Sequence, residues 1–494
     1  MSCAPVERKN LKLEQAIKFM EADASALNPA LLAAVVNSFA IDSREVGAGE
    51  VFFALSQPEY KNNCFNGDFE DSTQYVVSAL EKGATAAVVR PDRFTEHKAE
   101  LEKFADRLIF VPDAIAAFQK LAHGVYAQWN KPVVAVTGSA GKTTAKELTA
   151  HVLEASGRKV LRNIKNYNNG LGLPITVLNL AKDASYDVAV LEMGMSTPNN
   201  EIARLCKITP PDVAVELNVL AVHVEHLGSI EAVAKAKAEL VEGMKAGGTA
   251  VLNADDFRVF AMRDMHDGKN VTYGIETESD VMAKNIRFER FGETRFTLET
   301  PDAQAEVLFP LNGRHNIVNA LAAGAVGHVF GMTAGEIADA LERSAPPPQR
   351  GEVLHFAEGF TVVNDTYNSN PDALLSMVET ITEGGAGGRR KIVVAGEMRE
   401  LGQDAANIHF ETGRQIAALG IDKLFGVEGL AQSLLEGAKS GGLDNGEFYE
   451  NSQIAGEKFI GEVRAGDLIL IKGSRGVRTE KIVEKLLENF ELEK

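Results

Sequence analysis

The stretch Lys131 to Glu147, KPVVAVTGSAGKTTAKE, restricts the possible folds of this chain more than any other. Its apolar run, Val133 to Val136, reads as a buried strand, and the Gly-rich turn Gly138-Ser139-Ala140-Gly141 follows. Lys142-Thr143-Thr144 then opens a segment rich in Ala, Glu and Leu that reads as a helix. Strand, glycine turn and helix start, in that order, make a phosphate cradle. Glycines let backbone N–H groups approach phosphate oxygens, and the helix N-terminus adds partial positive charge. Lys142 is placed to reach the outer phosphates, and the Thr143 hydroxyl to hold Mg²⁺. The general pattern G-x-x-x-x-G-K-[ST] has Gly where this chain has Val136, so the loop is the short T-G-S-A-G-K-T form. Gly138 through Thr144 are therefore expected to bind ATP or a close relative.

At 494 residues the chain has material for about three domains of roughly 150 residues each. Alternation of strand-like and helix-like segments in every part predicts an α/β fold with mostly parallel sheets. A net charge of −18, from 51 basic and 69 acidic residues, argues against a nucleic-acid partner. No apolar run is long enough to span a membrane. The opening residues lack the pattern of a secretory signal, and Cys3, Cys64 and Cys206 have no metal or disulfide spacing. A soluble cytoplasmic protein is expected.

Residues 1–129 form the first expected domain. Strands are read at Val51–Leu55, Ala86–Val89 and Ile109–Val111, with a closing helix from about Asp113 to Trp129. The polar loop Ile41-Asp42-Ser43-Arg44 precedes the first of them; its Ser-Arg pair suits either a phosphate or an ordinary charged turn.

Residues 130–345 form the second. Beyond the phosphate loop, Asn163 to Asn169 (NIKNYNN) gathers amides that serve either as turn formers or as neutral ligands near a phosphate. The strand Tyr186 to Gly194 ends near Glu192, and ligands of open α/β sheets collect at strand carboxyl ends. Glu192 thus suits the Mg²⁺ that Thr143 also touches, against the alternative of a solvent-facing carboxylate. Another strand, Asp212 to Val219, leads to His223. Ser229 then caps a helix in which Lys237 falls within the apolar stripe of Ile230, Val233, Leu240, Val241 and Met244. Desolvation there would leave a neutral amine able to take up CO₂ as a carbamate; a lysine reaching out to water is the alternative. Asn312 to Asn316, before an Ala-rich helix at Ala320–Gly331, either flanks a base or caps the helix.

Pro346-Pro347-Pro348-Gln349-Arg350-Gly351 reads as a stiff linker into residues 346–494. There the strands Phe360–Val363, Lys391–Ala395 and Asp467–Ile471 each run into a polar loop: DTYNSNP, GEMRELG and KGSRG. A small Rossmann-like sheet with a site along one edge is expected, acting as a substrate domain that closes on the ATP domain.

Taken together, TGSAGKTT, NYNN, EMG, AVHVEHLGS, AKAKAEL, NGRHNIVNALAA, DTYNSNPDAL and KGSRG resemble the Mur ligase family. These ATP-dependent enzymes extend the peptide of a bacterial cell-wall precursor. DTYNSNP, GEMRELG and KGSRG are most similar to the branch that adds a dipeptide. The resemblance implies three domains: an N-terminal α/β domain for the UDP end, a central P-loop ATPase domain, and a C-terminal Rossmann-like domain for the dipeptide. It implies ATP and two Mg²⁺ ions, with a UDP-N-acetylmuramoyl tripeptide and D-alanyl-D-alanine as substrates, joined through an acyl phosphate by a monomer. A sibling ligase adding one amino acid, or a folylpolyglutamate-type synthase, is the alternative.

Residue by residue, the resemblance puts one Mg²⁺ at Thr143 and Glu192 and a second near His223 and a carbamylated Lys237. Lys142 neutralises the transferred phosphoryl group. Asn316 falls near adenine, Asp365 near ribose and Arg350 near the phosphates. Ser43 and Arg44 meet the UDP end, Asn168 and Asn169 the sugar-peptide, and Lys472, Ser474 and Arg475 the dipeptide carboxylate. The first-domain motif D-G-H-x-F is replaced here by Asn66-Gly67-Asp68-Phe69, and the loop after EMG is one residue longer than usual.

Overall fold

Strands with apolar residues on both faces need cover on both sides, and helices after each strand supply it. The computed structural model describes residues 11–63, 65, 69–164, 166–195, 200–220, 228–290, 292–345, 348–383, 389–399 and 401–493. Among the described residues the strands form three sheets. The first has four short parallel strands in sequence order: β1 (Phe39–Ala40), β2 (Val51–Phe53), β3 (Ala86–Val89) and β4 (Leu108–Phe110).

The central sheet contains β5 (Val133–Thr137), β6 (Val160–Arg162), β7 (Val188–Glu192), β8 (Val213–Glu216), β9 (Thr249–Asn253) and β10 (Lys269–Gly274). It continues with β11 (Val281–Arg290), β12 (Glu293–Glu299) and β13 (Gln304–Phe309), in the order 13-12-11-10-9-8-5-7-6. β5 to β11 pair in parallel, whereas β11, β12 and β13 are antiparallel. That antiparallel edge has no counterpart in the sequence reading. Phe296, Leu298, Val307 and Phe309 are fully buried while Arg295, Gln304 and Glu306 are at least partly exposed, the pattern of a sheet covered mainly on one face.

The third sheet holds β14 (Glu352–His355), β15 (Thr361–Asp365), β16 (Lys391–Gly396), β17 (Lys423–Val427), β18 (Gly446–Tyr449) and β19 (Leu468–Lys472). Its order is 14-15-19-16-17-18, parallel except for β14. The chain enters it through Pro348–Gly351, where Gln349 and Gly351 have φ of 63° and 72°.

The helix Ala114–Trp129 wedges between the first two sheets. Asp113 caps it by accepting from Ala116 N at 2.8 Å, a cap worth about 1 kcal/mol. Its buried face packs in one continuous cluster with Val51 and Phe53 on one side and Val133, Ala135 and Leu191 on the other. Three side chains along it reach carbonyls of the central domain: His123 to Ile208, Tyr126 to Pro210 and Trp129 to Tyr186, each at 3.1 Å. The two faces of the third sheet carry separate cores around Val363 and Ile392. Among the described residues, no helix is long and apolar enough to cross a membrane.

Candidate functional site

β5 lies between β7 and β8, so strand order reverses around it and opens a crevice beyond the carboxyl ends. Thr137, Glu192 and Glu216 end these three strands. The phosphate loop leaves β5 and turns into the helix Lys142–Ala155. Gly141 has φ 82°, and a Cβ there would come 2.5 Å from Asn319 Oδ1, so glycine is required. Asn218 braces the loop: its Oδ1 accepts from Ala140 N at 2.8 Å and its Nδ2 donates to Ala140 O at 3.1 Å. Lys142 Nζ donates to the carbonyls of Gly138 and Ser139 at 2.8 and 3.2 Å. Thr144 is buried in the helix.

Glu192 is buried, and both its carboxylate oxygens are engaged. Thr143 Oγ1 donates to Oε2 at 2.7 Å, and Asn168 Nδ2 to Oε1 at 2.8 Å. Asn169 Oδ1 accepts from Leu171 N and Gly172 N at 3.1 and 2.9 Å, so its side chain turns the chain into the next helix. The Thr143 hydroxyl and the Glu192 carboxylate suit Mg²⁺, which prefers hard oxygen donors and keeps room for water and phosphate. Among the described residues, three or more His, Cys, Asp or Glu nowhere gather as a metal-binding group.

Lys237, in the helix Ile230–Glu242, is 2% exposed and so does not reach water, which removes the snorkelling alternative. Its Nζ donates to Thr137 Oγ1 at 3.3 Å. Burial, then repulsion from Lys142, pulls this amine below the ordinary lysine range. Glu216, which the sequence reading did not single out, is fully buried with both oxygens unpaired among the described residues. Burial pushes its carboxyl well up, and the charge of Lys237 opposes that. His223 lies outside the described residues.

The third sheet supplies the opposite wall. Asp365 and Lys472 are register partners at the ends of β15 and β19, and Lys472 Nζ donates to Asp365 Oδ2 at 2.5 Å and to Asn368 O at 2.9 Å. Ser474 Oγ donates to Ser369 O and accepts from Arg399 N, tying all three polar loops together. The Arg350 guanidinium sits 4.0 Å from the centre of the Tyr367 ring, with Arg475 5.8 Å away. A cavity of about 260 Å³ runs from Ser139–Thr143, Asn166, Asn168 and Glu192 to Arg350, Asp365, Tyr367–Asn370 and Lys472.

The remaining expected residues lie apart from this cavity. Arg44 is exposed and pairs with Asp42 at 2.6 Å, with Ser43 in the same turn. Asn316 is buried in the helix Arg314–Val329, and its Nδ2 donates to Asn312 O. Beside it His315 Nδ1 meets Ser376 Oγ of the third domain at 3.3 Å, and burial lowers this imidazole to about 4. Arg475 pairs with Glu480 at 3.0 Å and lines a separate surface cavity.

A phosphate loop at a switch point, a strand-end carboxylate and a facing polar edge define a nucleotide-binding crevice between two α/β domains. Family models match on both sides of it: the Mur ligase middle domain over residues 136–327 and the Mur ligase, glutamate ligase domain over 349–475. The chain belongs to the Mur ligase family. It is 34% identical to the UDP-N-acetylmuramoyl-tripeptide–D-alanyl-D-alanine ligase of Escherichia coli, over 91% of this chain and 93% of that one. Its structure resembles MurF from Acinetobacter baumannii, with TM-score 0.83, 25% identity and coverage of 98% and 100%. It also resembles the MurF ligase of Thermotoga maritima in complex with ADP, with TM-score 0.77, 28% identity and coverage of 92% and 97%.

Proposed function

We propose that this chain is an ATP-dependent ligase of the cytoplasm that joins D-alanyl-D-alanine to the terminal carboxylate of a UDP-N-acetylmuramoyl tripeptide. The observation that carries this reading is the 2.7 Å pairing of Thr143 with Glu192 on a phosphate loop facing the Asp365–Lys472 edge across one cavity. Support for the substrates comes from relatives bearing that activity in their names along nine-tenths of the chain.

A carboxylate is a poor electrophile. Transfer of the γ-phosphoryl group to it gives an acyl phosphate; the dipeptide amine then forms the C–N bond, and the C–O bond to phosphate breaks as the amine proton leaves. Little covalent work falls to the protein, which positions the reactants and neutralises charge. Backbone N–H groups from Gly138 to Thr144 cradle the phosphates, and Lys142 moves its ammonium from the loop carbonyls to the outer phosphate. Thr143 and Glu192 would hold Mg²⁺, which would screen phosphate charge. Asn168, with Asn169 turning the chain behind it, faces the sugar-peptide.

Arg350 approaches the phosphates, Asp365 the ribose and Asn316 the adenine, while Ser43 and Arg44 meet the UDP end. Lys472, Ser474 and Arg475 serve the dipeptide carboxylate. A neutral Lys237 amine that adds to CO₂ and loses a proton would become a carbamate, which with His223 would supply anionic and imidazole ligands for a second Mg²⁺.

The test is ATP-dependent phosphate release with the UDP-linked tripeptide, comparing D-alanyl-D-alanine with single amino acids. Release that needs both substrates, with a pentapeptide product by mass, is expected. Release with one amino acid moves the chain to a sibling ligase, and no coupled release overturns the reading.

A further inference from the structure

Glu192 sits where the sheet has run out. In a parallel ladder the N–H and C=O of one residue point to the same neighbouring strand, and the next residue points the other way. Met193 N donates to Val136 O of β5, so Glu192 directs its own N–H and C=O toward β6. But β6 ends at Arg162, opposite Val190, two residues short of the partner that Glu192 needs.

Asn163 fills the gap with its side chain. Its Oδ1 accepts from Glu192 N at 3.0 Å, and its Nδ2 donates to Glu192 O at 2.9 Å and to Tyr167 O at 2.9 Å. An amide is the side chain that offers donor and acceptor on one rigid plane, as a peptide does. The residue is 2% exposed, so water does not substitute for it. Lys146, only 1% exposed, secures the arrangement from the phosphate-loop helix. Its Nζ donates to Asn163 O at 2.6 Å and pairs with Glu147 at 2.7 Å. Glu147 pairs in turn with Arg162, the last residue of β6, at 3.1 Å. Tyr167, gripped by the same amide, precedes Asn168, whose Nδ2 holds Glu192 Oε1.

We propose that Asn163 and Lys146 are positioning residues for the cation-binding edge: the Asn163 amide splices Glu192 into the sheet where β6 is missing, and Lys146 ties that splice to the helix bearing Thr143. The Thr143–Glu192 distance is thereby set through two buried side chains, neither of which lines the cavity. The inference rests on the ligase reading above.

The experiment measures Mn²⁺ binding by electron paramagnetic resonance with a non-hydrolysable ATP analogue, alongside metal-free analogue binding in chelator. Asn163→Ala is expected to weaken Mn²⁺ about tenfold while metal-free analogue affinity stays within twofold. Lys146→Met is expected to shift Mn²⁺ in the same direction by about threefold, with Lys146→Arg restoring it. Unchanged Mn²⁺ affinity in both variants overturns the inference, as does an equal loss of metal-free analogue binding, which marks general damage to the loop. Should Asn163→Ala fail to fold, the Lys146 pair decides alone. A wild-type protein that binds the analogue but no Mn²⁺ overturns the cation edge alone; one that binds no analogue at all overturns the ligase reading itself.

Discussion

Lys237 Nζ donates to Thr137 Oγ1 across 3.3 Å, joining a helix of the central domain to the residue that opens the phosphate loop. Thr137 Oγ1 passes the link on to Met193 O at 2.7 Å, just beyond Glu192. A modified Lys237 would therefore act within the same crevice as the loop. Lys237→Ala is expected to lose most ligase activity, with partial recovery on adding short carboxylates. Turnover like that of the wild type, measured by phosphate release, would falsify the carbamate.

Glu192 contributes charge as well as shape. Glu192→Gln keeps an oxygen for Thr143 but removes the negative charge that suits a cation. Its turnover should fall on the order of 10²-fold, with a higher Mg²⁺ concentration for half-activation. A Mg²⁺ titration of phosphate release reads both, and an unshifted activation curve counts against Glu192 as a ligand.

The Lys472–Asp365 pair is buried, with side-chain exposures of 5% and 14%. Removing one partner leaves an uncompensated charge, so Lys472→Met should destabilise the third domain by about 3 kcal/mol. Urea unfolding of the two proteins measures it. A loss below about 1 kcal/mol means the carboxylate finds other partners.

Glu59 is fully buried, and burial raises its carboxyl from 4.5 to about 7 although Ala114 N and Ser56 N both donate to it. The folded state therefore binds the proton more tightly than the unfolded one. Stability from this group is complete below pH 4.5 and is lost as pH rises to about 7, a change of about 3 kcal/mol. Glu59→Gln does not titrate, so its stability relative to wild type should climb by that amount between pH 4.5 and 8. A pH-independent difference would mean that Glu59 ionises normally.

Much of this was legible in the sequence because strong local patterns decided it. Val133–Val136 and Gly138–Gly141 become strand and loop, and Ser229 caps its helix by accepting from Ala232 N. Lys237 was visible through helical spacing alone. What escaped notice depends on the ends of strands. β6 stops at Arg162, a boundary no local pattern marks, so Asn163 looked like one amide among several. Glu216 closes an apolar strand as an ordinary polar residue would, and only the fold reveals that it is fully buried. Asn169 and Asn316, each read as either a ligand or a local turn or cap residue, do make local backbone hydrogen bonds, which leaves the ligand roles proposed for them to the experiment. Helix extent was also short: the Ala-rich helix begins at Arg314, a turn and a half before Ala320, because Gly313 at φ 92° starts it.

The helix Ala114–Trp129 gives the first two domains one shared interior, whereas the third keeps its own. Pulling those two apart would expose the apolar seam to water, so they are expected to unfold as one cooperative unit. The third domain meets them through polar contacts such as Ser376 with His315, so it can shift against them without uncovering a shared apolar seam.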